Sequence, residues 1–286
     1  MGRVSNVAHD RLRSAVVGEL ALRLANQVIE AGAAHGIVFM PLKGVLLLAR
    51  WPALRGRRTL VDVDLLVRAS DEATAVRVLR ELGFDATVGS SAGMAFANEA
   101  WPLSIDLHRE LFPHGLFRAS TDGVFSRAEL DRSLFSGPVA RMSNEDLFAH
   151  LIGHFVKGRG RFAEDKSLDD LQWLLKQGVF RLEDAARLGA HLRALGLQRA
   201  AAYVLADESF GDDPIAVATL RALELSRADR IVIAAARSDM RWNRDAPRWW
   251  TPHLLDRSLV AGSGSLLWHA AEGLRRHLGR HAVGRS

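Results

Sequence analysis

Apolar and polar positions along the chain switch between a period near two and a period near 3.6, and those switches mark out its elements. Over residues 7–34 the apolar positions Leu12, Val16, Leu20, Leu24 and Val28 recur at helical spacing without proline, predicting one long amphipathic helix. Gly36 ends that turn, and residues 37–40 read as a short buried strand. Residues 45–51 predict a helix that stops before Pro52. Residues 60–67 are mostly branched and apolar, the pattern of a buried strand whose Val61, Val63 and Leu65 face the core. Ser70 or Asp71 can cap a helix running to Leu82, with Gly83 at its C-terminal turn. Residues 84–88 and 93–98 read as strands. Residues 103–110 alternate cleanly, with Leu103, Ile105 and Leu107 on one face and Ser104, Asp106 and His108 on the other.

Residues 118–138 carry no clear period, and Asp122-Gly123 and Gly137-Pro138 read as turns. A domain boundary placed there divides the chain into 1–138 and 139–286. Beyond it the pattern is helical. Ser143 caps a helix with acids in its first turn, continuing through Leu147, Leu151 and Phe155. Residues 165–177, 182–207 and 214–237 keep helical spacing, and 265–278 predict a last amphipathic helix with a basic end at Arg275, Arg276 and Arg280.

The composition narrows the classes. With 286 residues and 48% hydrophobic content, two domains with real cores are expected. Cysteine is absent, which excludes disulfides, a thiolate zinc site and a cysteine nucleophile, and fits a cytoplasmic protein. No apolar run approaches the ~18 residues that span a bilayer. Residues 1–10 lack the apolar core of a secretory signal. The net charge of +5 comes almost wholly from arginine, since Lys43, Lys157, Lys166 and Lys176 are the only lysines. Such a mild positive field suits phosphate-bearing ligands but is too weak to argue for nucleic acid.

Candidate chemistry gathers in the first half. Asp62 and Asp64 lie two apart on the strand predicted over 60–67, so they project from one face. Two like charges on a core strand call for a hard divalent cation between them; the alternative is a strand end where both reach water. Lys43-Gly44 sits at a strand-to-helix turn, where backbone N–H groups and a glycine allow a phosphate to approach, or where a surface lysine simply adjoins a turn. Arg55, Arg57 and Arg58 crowd the loop before the strand, and at least two of them read as solvated. Asp106 joins the pair if its strand lies beside the first. His108 then points into the same cleft, to hydrogen-bond a substrate or a carboxylate or to serve structure. His150 and His154 share a helix face, yet Leu151 stands where a metalloprotease needs glutamate, so packing or substrate contact is the favoured reading over zinc. The glycine-bearing basic stretch 157–161 reads as a solvated loop. Trp242, Trp249 and Trp250 among Arg241, Arg244 and Arg248 read as packing and cation–π pairs before base stacking.

Leu42-Lys43-Gly44, Arg58 ahead of Asp62-Val63-Asp64, a helix closing in Gly83-Phe84, and Ile105-Asp106-Leu107-His108 together resemble the uncharacterised nucleotidyltransferase family, within the DNA polymerase β-like superfamily. The resemblance covers residues 37–111 in detail and the helical half more weakly. It implies an α+β fold: a mixed sheet flanked by helices, followed by an all-α C-terminal region. It implies a bacterial enzyme that uses Mg²⁺ or Mn²⁺ and a nucleoside triphosphate, ATP first among them. It implies Asp62, Asp64 and Asp106 as catalytic metal-holding residues, and Lys43, Gly44, Arg58 and His108 as contacts to the nucleotide. The expected reaction is transfer of a nucleoside monophosphate to an acceptor on a small molecule, peptide or protein. The rival readings are a catalytically silent scaffold and a toxin-like enzyme acting on RNA.

Overall fold

A computed structural model describes residues 2–89, 93–113, 116–157 and 166–242, with side chains over 9–87, 93–113, 116–157 and 166–237. The chain divides into two compact units, Met1–Pro113 with Ala119–Leu147, and His114–Arg118 with Phe148–Ser286.

The first unit opens with helix α1 (Gly2–Ala34). Its Leu24, Ala25, Val28 and Ile29 are fully buried, whereas Leu12 and Val16 are exposed, so only the second half of the expected apolar stripe packs. Strand β1 (Met40–Pro41) leads into helix α2 (Lys43–Arg50), and strand β2 (Asp62–Leu66) follows a short 3-10 turn at Pro52–Leu54. Helix α3 (Glu72–Glu81) ends at Gly83, whose φ of 81° suits a residue without a Cβ. Strands β3 (Asp85–Gly89), β4 (Gly93–Ala97) and β5 (Ser104–His108) complete the sheet.

The strand order is β1-β2-β5-β4-β3. β2 and β5 run parallel, while β1 on β2, β4 on β5 and β3 on β4 are antiparallel. This is the mixed sheet that the sequence implied. The parallel pair joins strands separated by α3 and the β3–β4 hairpin, the long connection that parallel neighbours require. Val63, Leu65, Leu66, Ile105 and Leu107 are all buried, which holds the central pair in place. Val61 departs from expectation: it is 66% exposed. It precedes the first paired residue of β2, so the sheet's alternation does not hold its side chain toward the core.

The stretch 118–138, unreadable by period, contains helix α4 (Thr121–Arg127) and strand β6 (Glu129–Asp131), which pairs with β7 (Val139–Arg141). Asp122-Gly123 is not a turn but the start of α4, capped by Ser120 Oγ accepting from the Gly123 N–H. The period failed there because α4 spans two turns and β6 three residues, too short for a pattern to repeat.

Helix α5 (Asn144–Lys157) starts as the sequence reading expected: Ser143 Oγ accepts from the Asp146 N–H. The Asp146 carboxylate is fully buried and takes a two-pronged contact from Arg127, with Nε and Nη2 each 2.9 Å away. A planar guanidinium on a carboxylate is the strongest form of such a pair.

The second unit is helical. α6 (Lys166–Lys176), α7 (Ala185–Ala194), α8 (Gln198–Leu205), α9 (Pro214–Ala222) and α10 (Arg227–Trp242) succeed one another. α7 and α9 cross closely, since a Cβ on Gly189 would lie 2.7 Å from the Ala222 Cβ. Phe148 meets Phe180 edge-on at 5.5 Å, and His154 Nδ1 lies 2.9 Å from Ser167 Oγ. The stretch 158–161, the tryptophans beyond Trp242 and the helix expected over 265–278 lie outside the described residues. Among the described residues no helix is long and apolar enough to cross a membrane.

Removing the buried Asp146 carboxylate breaks the Arg127 pair and the hydrogen bond that its Oδ2 accepts from Ser143 Oγ. Asp146→Ala should lower unfolding stability by about 3 kcal/mol, and Ser143→Ala by about 1 kcal/mol, read by urea denaturation.

Candidate active site

The register of β2 on β5 assembles the site. Asp62 pairs with Ser104, Asp64 with Asp106 and Leu66 with His108. Residues two apart on a strand share a face. Asp62, Asp64, Ser104, Asp106 and His108 therefore stand together above two strands whose other faces are core. Ligand atoms of Asp64, Asp106 and His108 lie within 4.8 Å of one another. Asp62 falls outside that compact group, yet it lies near enough to feel the charges of Asp64, Asp106, Lys43 and His108.

Asp64 is the centre. It is 5% exposed. Its Oδ1 accepts from Lys43 Nζ at 2.6 Å and from His108 Nε2 at 2.8 Å. A carboxylate offers no proton, so His108 carries one on Nε2. His108 Nδ1 is buried and has no hydrogen-bond partner among the described residues. Burial opposes the charge on Asp64, but the His108 hydrogen bond and the Lys43 ammonium outweigh it and hold the carboxyl below the usual range. Asp62 goes the other way. Burial first, then the neighbouring Asp64 and Asp106 charges, push it up to about 6, against the opposing pull of Lys43 and His108.

Lys43 reaches Asp64 because the backbone brings it there. β1 pairs with β2 through Met40 and Pro41, and one residue on, the Leu42 N–H donates to the Asp64 carbonyl at 3.0 Å. The sequence reading gave Lys43 to the phosphates of a nucleotide; the structure sets it on a carboxylate. Gly44 also has a packing reason. A Cβ there would sit 2.2 Å from Leu60 Cδ2 and 3.3 Å from the Arg58 guanidinium, which lies over the α2 start.

A divalent cation fits this donor set. Among the described residues, Asp64, Asp106 and His108 form the group that could hold a metal ion, two of them through carboxylate oxygens. Burial first, and the neighbouring Asp64 and Asp106 charges second, disfavour a charged Asp62, and a nearby cation would favour it.

Residues 6–207 match the family described as "Uncharacterised nucleotidyltransferase". The chain belongs to that family. It is a nucleotidyltransferase, an enzyme of nucleotidyl transfer. No curated protein matches it. Among solved structures, a crystal structure of ANT(2'')-Ia in complex with adenylyl-2''-tobramycin shares 14% identity at a TM-score of 0.45, covering 60% of this chain and 95% of that one. A solution structure of the antibiotic-resistance factor ANT(2'')-Ia shares 13% identity at a TM-score of 0.40, covering 77% of this chain and 97% of that one. In this nucleotidyltransferase, what sequence reasoning missed is Lys43 as a donor to Asp64, on the same oxygen as His108, for which a carboxylate contact was one of the readings. The signal was present: Asp106 and His108 share the spacing of Asp62 and Asp64, and parallel pairing brings the two sets together.

A carboxyl raised by the fold opposes folding when ionised. That opposition is fully present above pH 6 and vanishes as pH falls below the ordinary value near 4. In EDTA, Asp62→Asn should therefore melt higher than wild type at pH 7.5. The gap should shrink to nothing near pH 4, as differential scanning calorimetry would show.

Proposed function

We propose that this nucleotidyltransferase is Mg²⁺-dependent and moves AMP from ATP onto an acceptor hydroxyl of a small molecule, peptide or protein. The observation that carries the reading is the meeting of Asp62, Asp64 and Asp106 on one face of the β2–β5 pair, beside a lysine at a helix start. In the reaction the acceptor oxygen forms a bond to the α-phosphorus, and the bond from that phosphorus to the bridging α–β oxygen breaks. Pyrophosphate leaves with that oxygen. Such chemistry asks the protein for positioning and charge neutralisation more than for covalent help.

Asp62, Asp64 and Asp106 would hold the divalent cation. When bound, it supplies charge neutralisation on the triphosphate and acidifies a coordinated hydroxyl. Asp106 accepts the proton of the acceptor hydroxyl as the new bond forms. His108 keeps Asp64 ionised and oriented through its 2.8 Å contact. Lys43 and the Gly44 backbone lie at the start of α2, where developing charge on the leaving phosphates is stabilised. Arg58, lying over that same helix start, adds a guanidinium suited to phosphate oxygen.

Incubation with α-labelled ATP, Mg²⁺ and a panel of hydroxylated acceptors should yield a labelled product and pyrophosphate. Asp106→Asn should slow transfer by about 10²- to 10⁴-fold while leaving the far-ultraviolet circular dichroism unchanged. Calorimetry that detects no nucleotide binding, with Mg²⁺ or with Mn²⁺, overturns the reading.

A further inference from the structure

Lys43 has a backbone that a lysine avoids. Its φ is +45°, in the left-handed region where a Cβ is crowded. The neighbouring Gly44, free to take such a conformation, has no positive φ. Its missing Cβ is demanded by Leu60 and Arg58. The chain thus puts its glycine where space is short and a long charged side chain where the backbone is strained. Strain of this kind, of order 1–3 kcal/mol, persists where the surroundings impose it and collects at functional sites.

The side chain explains the strain. Lys43 Nζ lies 2.6 Å from Asp64 Oδ1, and its side chain is only 15% exposed. The same oxygen takes His108 Nε2. A divalent cation that recruits Asp64 must therefore contend with an ammonium already seated on that carboxylate. An ammonium on Oδ1 and a divalent ion on either oxygen of the same carboxylate lie close together and repel. That repulsion favours release of Lys43, and a polyphosphate arriving at the start of α2 offers its ammonium a new anionic partner.

We propose that Lys43 is a built-in cation of the site: it competes with the divalent ion for Asp64 and passes to the donor's phosphates, so that metal and nucleotide load together. This rests on the reading of Asp64 as a cation-binding carboxylate. The coupling is a matter of populations. A cation that must first displace Lys43 binds more weakly by the cost of that displacement, and a nucleotide that takes up Lys43 removes the penalty. The enzyme thereby resists loading with free metal alone.

The test measures metal binding, not turnover. Mn²⁺ is titrated by calorimetry into wild type, Lys43→Gly and Lys43→Gln without nucleotide, then with a saturating non-hydrolysable ATP analogue. Both variants should bind Mn²⁺ on the order of tenfold tighter than wild type without nucleotide. The analogue should tighten Mn²⁺ binding more in wild type than in either variant. Lys43→Gly also relieves the left-handed strain, so it is the variant best placed to fold. A second readout needs no variant. The chain has four lysines, Lys43, Lys157, Lys166 and Lys176, so amine acetylation read by mass spectrometry resolves each one. In wild type, Lys43 labelling should rise with Mn²⁺ alone and fall again when the analogue is added. Variant affinities equal to or weaker than wild type, or Lys43 labelling that ignores Mn²⁺, overturn the proposal while leaving the cation site standing. Absence of Mn²⁺ binding in every form overturns the cation site and this proposal with it.

Discussion

A carboxylate buried on a central strand must be kept charged by its neighbours, and in this enzyme that requirement falls on Asp64. At 5% exposure it has lost most of its water. Left alone, it would take up a proton. The fold answers from two directions. β5 runs parallel to β2 and delivers His108, and the β1–α2 turn delivers Lys43, both to the same oxygen. The sheet order and the placement of α2 can be read as the means of bringing those two donors to one acid.

The two aspartates of β2 show how far a two-residue step along a strand can separate electrostatic environments. Asp64 is held ionised by its donors, while burial, and then the repulsion of Asp64 and Asp106, push Asp62 up to about 6. A pair of carboxyls driven apart in this way is the mark of a site prepared for charge. Two donors meet one oxygen of Asp64, and the register sets Asp106 directly beside it.

The turn into α2 combines two demands that a single residue could not meet. Close packing of Leu60 and Arg58 over the helix start excludes a Cβ at position 44. The pairing of β1 with β2, continued by the Leu42 N–H to the Asp64 carbonyl, aims position 43 at the acid. The Lys-Gly pair follows from geometry on both counts, and it links the sheet to the anion-favouring end of a helix. The second unit keeps to a different logic, with alanine, leucine and glycine faces such as Gly189 on Ala222 setting close helix crossings.

Much of this was legible in the chain itself. Strand and helix periods placed the elements through β5, because apolar alternation reports directly which face is buried. The same-face geometry of Asp62 with Asp64, and of Asp106 with His108, follows from strand period alone, and Gly83 announced its left-handed φ. Local rules could not reach the rest. Val61 lies exposed because β2 begins only at Asp62, the residue after it, and α4 and β6 are too short for any pattern to repeat. The parallel register that sets Asp64 against Asp106, and the contacts of Lys43 and His108 with one oxygen, join residues 21 to 44 positions apart. Contacts at such separations are chosen by packing of the whole sheet, since no residue's own propensity encodes its distant neighbour.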